Sequence, residues 1–276
     1  MELIDIGLNL MHKSYDKDRL DVLREARKVG VTKSIITGSS IRSSISAVEY
    51  ARGNSCVYAT CGVHPHDAKT CDENTIDTLR KLAEEDCVVA IGECGLDYNR
   101  NFSPQPVQRK WFEKQIELAE ELDMPLFLHD RESYDDFAKI MRKHSKVASR
   151  SVVHCFTGTK YEAEDYLDLG CYIGVTGWIC DERRNDELLK AIKVIPPERL
   201  MIETDGPFLL PRDLSPKPKK NRNDPKYLPH ILKRIAKEMN MDYDELGDIV
   251  TSNTRKFFKI WKKWVWNGWL FVWKTI

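Results

Sequence analysis

Residues 88–93 read VVAIGE, an apolar run closed by Glu93, and the same arrangement recurs along the chain. PLFLH (125–129) ends at His129, SVVH (151–154) at His154 and LMIETD (200–205) at Asp205, while VYATCGVH (57–64) delivers His64. Short continuous apolar runs are how strands buried on both faces read. A polar residue at the same end of each points to one shared mouth, because parallel strands bring their carboxyl ends together and ligands bind there. Any one of these residues alone reads more simply as a cap or a turn residue. In series, imidazoles and carboxylates are the donors a divalent cation needs.

Working outward, each run is followed by a segment of helical spacing. LIDIGLNL (3–10) opens as a strand, and Leu20, Leu23 and Val29 mark a helix over 16–29. SIITGS precedes a helix over 41–51, VYATCGVH one over 75–85, and VVAIGE, after a loop over 98–106, a long amphipathic helix ending near Leu122. PLFLH leads to 134–144, SVVHCF to 161–169, CYIGVTG to 186–195, and RLMIETD to the closing helices. Eight strand-helix units without a hairpin signature predict a parallel sheet, and eight close into a (β/α)8 barrel, one α/β domain over 1–260. An open doubly wound sheet is disfavoured, because its GxGxxG phosphate loop is missing.

The 276 residues, 42% hydrophobic and 31% charged, suit one domain with a sizeable core. Lys+Arg and Asp+Glu both total 43, so nucleic-acid binding has to come from a local patch. The eight cysteines include no CxxC pair, and no secretory signal opens the chain. They read as buried thiols of a reducing compartment, with the cytoplasm as expected location. Cys155 is discounted as a nucleophile, because adjacent strand residues point to opposite faces and His154 faces the mouth.

GVHPHDA (62–68), AIGECGLDYNRNF (90–102), MPLFLHDRE (124–132), VVHCFTGT (152–159), YIGVTGWICDERR (172–184) and LMIETDGPFLLPRDLSPKPKKNRNDPKYLPHI (200–231) together resemble the TatD family of metal-dependent deoxyribonucleases. The resemblance runs from Leu3 to about Ile260. It implies a TIM-barrel hydrolase that cleaves DNA phosphodiesters with a divalent cation, most often Mg2+, as a 3′ to 5′ exonuclease preferring single strands or ends. DNA degradation or repair is the implied setting. Glu93, His129, His154 and Asp205 stand at the family's metal-ligand positions, and His64 at that of its phosphate-binding, catalytic histidine. One departure is visible: the family's Asp-x-His-x-His opening is here Asp5-Ile6-Gly7-Leu8-Asn9. One firmly held ion is therefore expected, with a weaker second one recruited by substrate phosphate.

Two imidazoles with two carboxylates leave coordination positions open, and a divalent ion there brings hydroxide within reach near neutral pH. Asp205 is placed to accept the water's proton and Glu93 to bridge two ions. By softness the mixed donor set also suits Mn2+ or Zn2+. Cations for phosphate lie in the loops after the strands: Arg100, Arg131, Arg183, Arg184 and Arg212, with Lys217 to Arg222 as a basic loop near Asp205. A solvated face is the plain alternative for any such run. Trp178 and Phe208 are candidates for stacking on bases, or else for core packing.

The stretch 261–276 fits nothing before it, with WKKWVWNGWLFVW holding five of the seven tryptophans. It is too short to span a bilayer, and a poorly ordered extension is expected over a membrane or protein contact. A monomer is expected. Two other functions remain open: a barrel hydrolase of an ester or amide such as a D-aminoacyl-tRNA, for which the basic loop would be dispensable, and a noncatalytic binding module, which would tolerate loss of Glu93 and Asp205.

Overall fold

The computed structural model describes residues 1–219 and 221–260. The expectations for Lys220 and for 261–276 lie outside these described residues. Strands β1 (Leu3–Leu8), β2 (Val31–Ile36), β3 (Val57–Cys61), β4 (Val88–Asp97), β5 (Leu126–Arg131), β6 (Ser151–Val153), β7 (Tyr172–Val175) and β8 (Leu200–Ile202) lie parallel in sequence order. The seam between β8 and β1 is closed by a parallel bridge of Leu8 with Gly206 and by Asp205 N–H donating to Gly7 O at 2.8 Å. This is the expected (β/α)8 barrel.

Around it run α1 (Arg19–Lys28), α2 (Ile41–Arg52), α3 (Thr75–Ala83), α4 (Gln105–Glu121), α5 (Tyr134–Lys143), the short α6 (Ser145–Ala148), α7 (Lys160–Asp168), α8 (Asp186–Ala191), α9 (Leu228–Met239) and α10 (Tyr243–Phe257). Local chemistry sets their starts. Ser40 and Thr159 form capping boxes with Ser43 and Glu162, and Asp242 accepts from the N–H groups of Asp244 and Glu245. The first helix starts at Arg19 rather than 16, and α8 stops at Ala191 rather than 195, ahead of the Pro196-Pro197 pair.

Apolar side chains divide between two cores. The larger one joins the outward faces of the strands to the helices. The smaller one gathers Ile6, Ile35, Ala90, Phe127, Val152 and Met201 with Phe257, Phe258 and Ile260 at the end of α10. Phe257 packs edge-on against Tyr172, the first residue of β7, at 5.1 Å between centroids, so the end of α10 closes the amino-terminal end of the barrel. The opposite end is left for polar groups. No helix among the described residues is long and apolar enough to cross a membrane.

Candidate active site

Glu93 is the hub of the carboxyl-terminal mouth. Between β4 and β5 the register shifts from Gly92 opposite Phe127 to Cys94 opposite Leu128, leaving Glu93 as the unpaired extra residue. Such an irregularity re-aims one side chain, and Glu93 Oε1 accordingly faces three rings. His154 Nε2 lies at 2.7 Å, His129 Nδ1 at 3.0 Å and His64 Nε2 at 3.4 Å. Donor atoms of His64, Glu93 and His129 all fall within 4.8 Å of one another. Burial opposes charge on Glu93, yet the facing His64 and His154 hold its carboxyl well below the usual range.

The rings are oriented from behind. His64 Nδ1 accepts the His66 backbone N–H at 3.0 Å, which directs Nε2 at Glu93. Burial pulls its pKa down to about 3, outweighing the opposing pull of the Glu93 carboxylate. His154 is bonded on both sides, its Nδ1 lying 3.2 Å from Glu203 Oε2. Although burial opposes it, Glu93 and Glu203 hold its pKa well above the ordinary value. His129, raised in the same way against burial by Asp97 and Glu93, keeps a buried Nε2 without a hydrogen-bond partner, with Asp97 Oδ2 at 3.4 Å.

Asp205 lines the same cavity and takes a left-handed backbone (φ 52°), which aspartate tolerates. Asn9 Nδ2 donates to its Oδ1 at 2.8 Å. Burial and the nearby Glu93 and Glu203, partly offset by His154, raise its pKa to about 7. The cavity, of about 470 Å³, is also lined by Arg100, Arg131, Arg184, Trp178 and Phe208. Residues 4–259 match the family of TatD related DNases.

The chain belongs to the TatD family. It is 46% identical over 259 residues to the 3′-5′ ssDNA/RNA exonuclease TatD of Rahnella sp. (strain Y9602), covering 94% of this chain and 98% of that relative. Among solved structures it superposes on the TatD homolog from Escherichia coli k12 with a TM-score of 0.86, at 25% identity over 94% of this chain and 98% of the other. The hydrolase TatD family protein from Entamoeba histolytica gives 0.82 at 29% identity, over 93% and 98%.

Against this TatD frame, Glu93, His129, His154, Asp205 and His64 all meet in one cavity. His64 brings a ligand atom within 4.8 Å of those of Glu93 and His129. Arg100, Arg131 and Arg184 line the cavity, whereas Arg183 and Arg212 do not. Arg183 is held bidentately by Asp181 at 2.6 and 2.7 Å, and Arg212 pairs with Glu182 at 3.1 Å. Arg184 also bonds Asp181, at 2.9 Å, and its guanidinium lies over the Trp178 ring at 3.6 Å. In the basic loop, Arg222 is committed to Asp18 and Asp224 and lies over Tyr15.

The argument from alternation against Cys155 fails, because β6 has ended and Cys155, at φ 47°, lines the cavity beside His154. Burial nevertheless pushes its thiol well above the ordinary range, so little thiolate exists to act. Sequence reading left Glu203, Asp97 and His66 without roles. Glu203, fully buried, accepts from Cys155 N–H at 2.5 Å as well as facing His154, and its Oε2 occupies the space in front of Gly7: a Cβ there would stand 2.2 Å away. The family's first histidine position is thus filled from β8's end, and the second is held by Asn9 bonded to Asp205. His66 Nε2 meets Asp97 Oδ2 at 2.7 Å. Their signal was present: Asp97 closes the run that contains Glu93, and His66 follows His64 by two.

Proposed function

We propose that this TatD-family chain is a divalent-metal-dependent hydrolase of nucleic-acid phosphodiesters, working as a 3′ to 5′ exonuclease on single-stranded DNA or RNA, with Mg2+ as the ion and Mn2+ or Zn2+ as competitors. The observation that carries the reading is one cavity of nucleotide size in which metal-type donors and three arginines converge. The residues suit a divalent ion, since ligand atoms of His64, Glu93 and His129 lie within 4.8 Å of one another and the buried His129 Nε2 makes no hydrogen bond. Glu93, His129, His154 and Asp205 are the proposed ligands, with His64 beside them. When bound, the ion supplies Lewis acidity at a phosphate oxygen and acidifies water.

The chain's own groups supply the rest. Asp205, which lines the cavity with Glu93 and His154, is placed to accept a proton there. Arg100, Arg131 and Arg184 hold the phosphates of the strand, and Trp178 and Phe208, the latter half exposed, offer ring faces to the terminal bases. The arginines favour a phosphodiester over an ester or amide substrate. We infer a monomer, and the eight unpaired cysteines fit a reducing cytoplasm.

The test is degradation of 3′-labelled and 5′-labelled single strands with Mg2+, with EDTA and with Glu93→Ala. Release of the 3′ label as the first product, absent with EDTA and in the variant, is expected. Failure to cleave DNA or RNA with any divalent ion would overturn the reading in favour of a carbonyl hydrolase or a binding module.

A further inference from the structure

A second group of metal-type donors stands apart from the cavity and shares no residue with its lining: Cys180, Asp213 and His230, whose ligand atoms lie within 4.8 Å of one another. They come from three separate segments. Cys180 ends the 3-10 helix Gly177–Cys180 that follows β7, Asp213 sits in the loop that follows β8, and His230 is in the first turn of α9. The geometry points to a structural site for a thiophilic divalent cation, Zn2+ in class, that clips the loop after β8 onto the loop after β7.

The donor chemistry supports this assignment. Sulfur, oxygen and imidazole nitrogen together select zinc-like ions over Mg2+, which takes oxygen and water. Thiolate and carboxylate balance the two positive charges, and the neutral imidazole completes three protein donors with a fourth position left for water. His230 Nε2 and Asp213 Oδ1 already stand 2.7 Å apart, the same imidazole-carboxylate separation as His154 and Glu93 in the cavity. Arg234 approaches Asp213 Oδ2 at 3.7 Å and leaves Oδ1 to the group. Access is open, since the Asp213 and His230 side chains are 36% and 31% exposed, while Cys180 is buried at 1%.

Burial, with the adjacent Asp213 carboxylate, pushes the Cys180 thiol far up. Without a cation it is an inert buried S–H. A thiophilic ion replaces the thiol proton, so binding releases that proton and holds the thiolate in place. The clip acts on a functional segment: Phe208 and Leu209, between Asp205 and Asp213, line the cavity. A loop already held by the Asp213–His230, Asp213–Arg234 and Arg212–Glu182 pairs gains a metal clip at its middle.

The full chain, stripped of metal, is titrated with Co2+ as a spectroscopic stand-in for Zn2+. Expected is a thiolate-to-cobalt charge-transfer absorption that survives in Glu93→Ala, vanishes in Cys180→Ser and is weakened at least tenfold in cobalt affinity in His230→Ala. In parallel, Zn2+ should raise the Tm of Glu93→Ala by several degrees, and this rise should be lost in Glu93→Ala combined with His230→Ala. No charge-transfer band in the folded protein would overturn the proposal. So would a band lost in Cys155→Ser but kept in Cys180→Ser. His230→Ala, at a partly exposed position, keeps the test decisive if Cys180→Ser does not fold.

Discussion

Glu203 shows how much of the cavity's behaviour rests on a residue that is not itself at the mouth. Its carboxylate fixes His154 Nδ1 and leaves Nε2 for Glu93, and partners of this kind typically carry 10 to 100-fold in metal affinity. Glu203→Gln keeps the volume, so we expect the divalent ion needed for half-maximal activity to rise about 10 to 100-fold with the urea midpoint little changed; an unchanged activation constant would remove Glu203 from this role. Asp5 gives a second prediction, with a definite sign. Burial, outweighing its bonds from Thr204 and Gly7, raises its pKa from 3.8 to about 7. The unfolded chain therefore ionises Asp5 from about pH 4 upward while the folded one keeps the proton. Its contribution to stability is fully present below the ordinary value and is lost as pH rises to about 7. Asp5→Asn should gain stability relative to the parent across that window, by up to about 4 kcal/mol, read as the difference in urea midpoints at each pH. The carboxylates Glu93 and Asp205 were legible because they end apolar runs. Glu203 was not, since only the folded barrel shows that its side chain fills the space left at Gly7.

At the scale of elements, alternation of apolar runs and helical spacing made the eight strand-helix units readable, because burial on both faces keeps most strand residues apolar. The rim was less readable, for a charge in a loop carries no mark of which acid it will meet. Arg183 and Arg212 look equivalent to Arg184 in sequence, yet only Arg184 lines the cavity, stacked on Trp178. Arg184→Ala should therefore raise KM for an oligonucleotide about tenfold, the loss of one charge-assisted contact of about 1.5 kcal/mol, whereas Arg212→Ala should change it less than about twofold; equal effects would contradict the assignment. The pairing of β4 with β5 supplies a stability test. Gly95 sits at φ 144° opposite His129, and a Cβ there would meet His129 O at 1.9 Å. Gly95→Ala should cost at least about 3 kcal/mol in urea unfolding and displace His129 from Glu93.

For the whole molecule, the clustering of like-facing donors in one mouth couples ion binding to global stability. A divalent ion at about 100 times its dissociation constant adds about 2.7 kcal/mol, which for a chain of this size is a Tm rise of roughly 5 to 10 °C. EDTA should reverse that rise, and Glu93→Ala should abolish the part due to Mg2+. The barrel seam has a different consequence. Asp205 takes its place through bonds to Gly7 and Asn9, and its neighbour Thr204 through Asp5, contacts that span 196 residues or more. During synthesis β1 leaves the ribosome early and waits for β8. Until then the half-made chain has the donors of β4 to β6 but not Asp205, so the four proposed ligands come together only once β8 has been made.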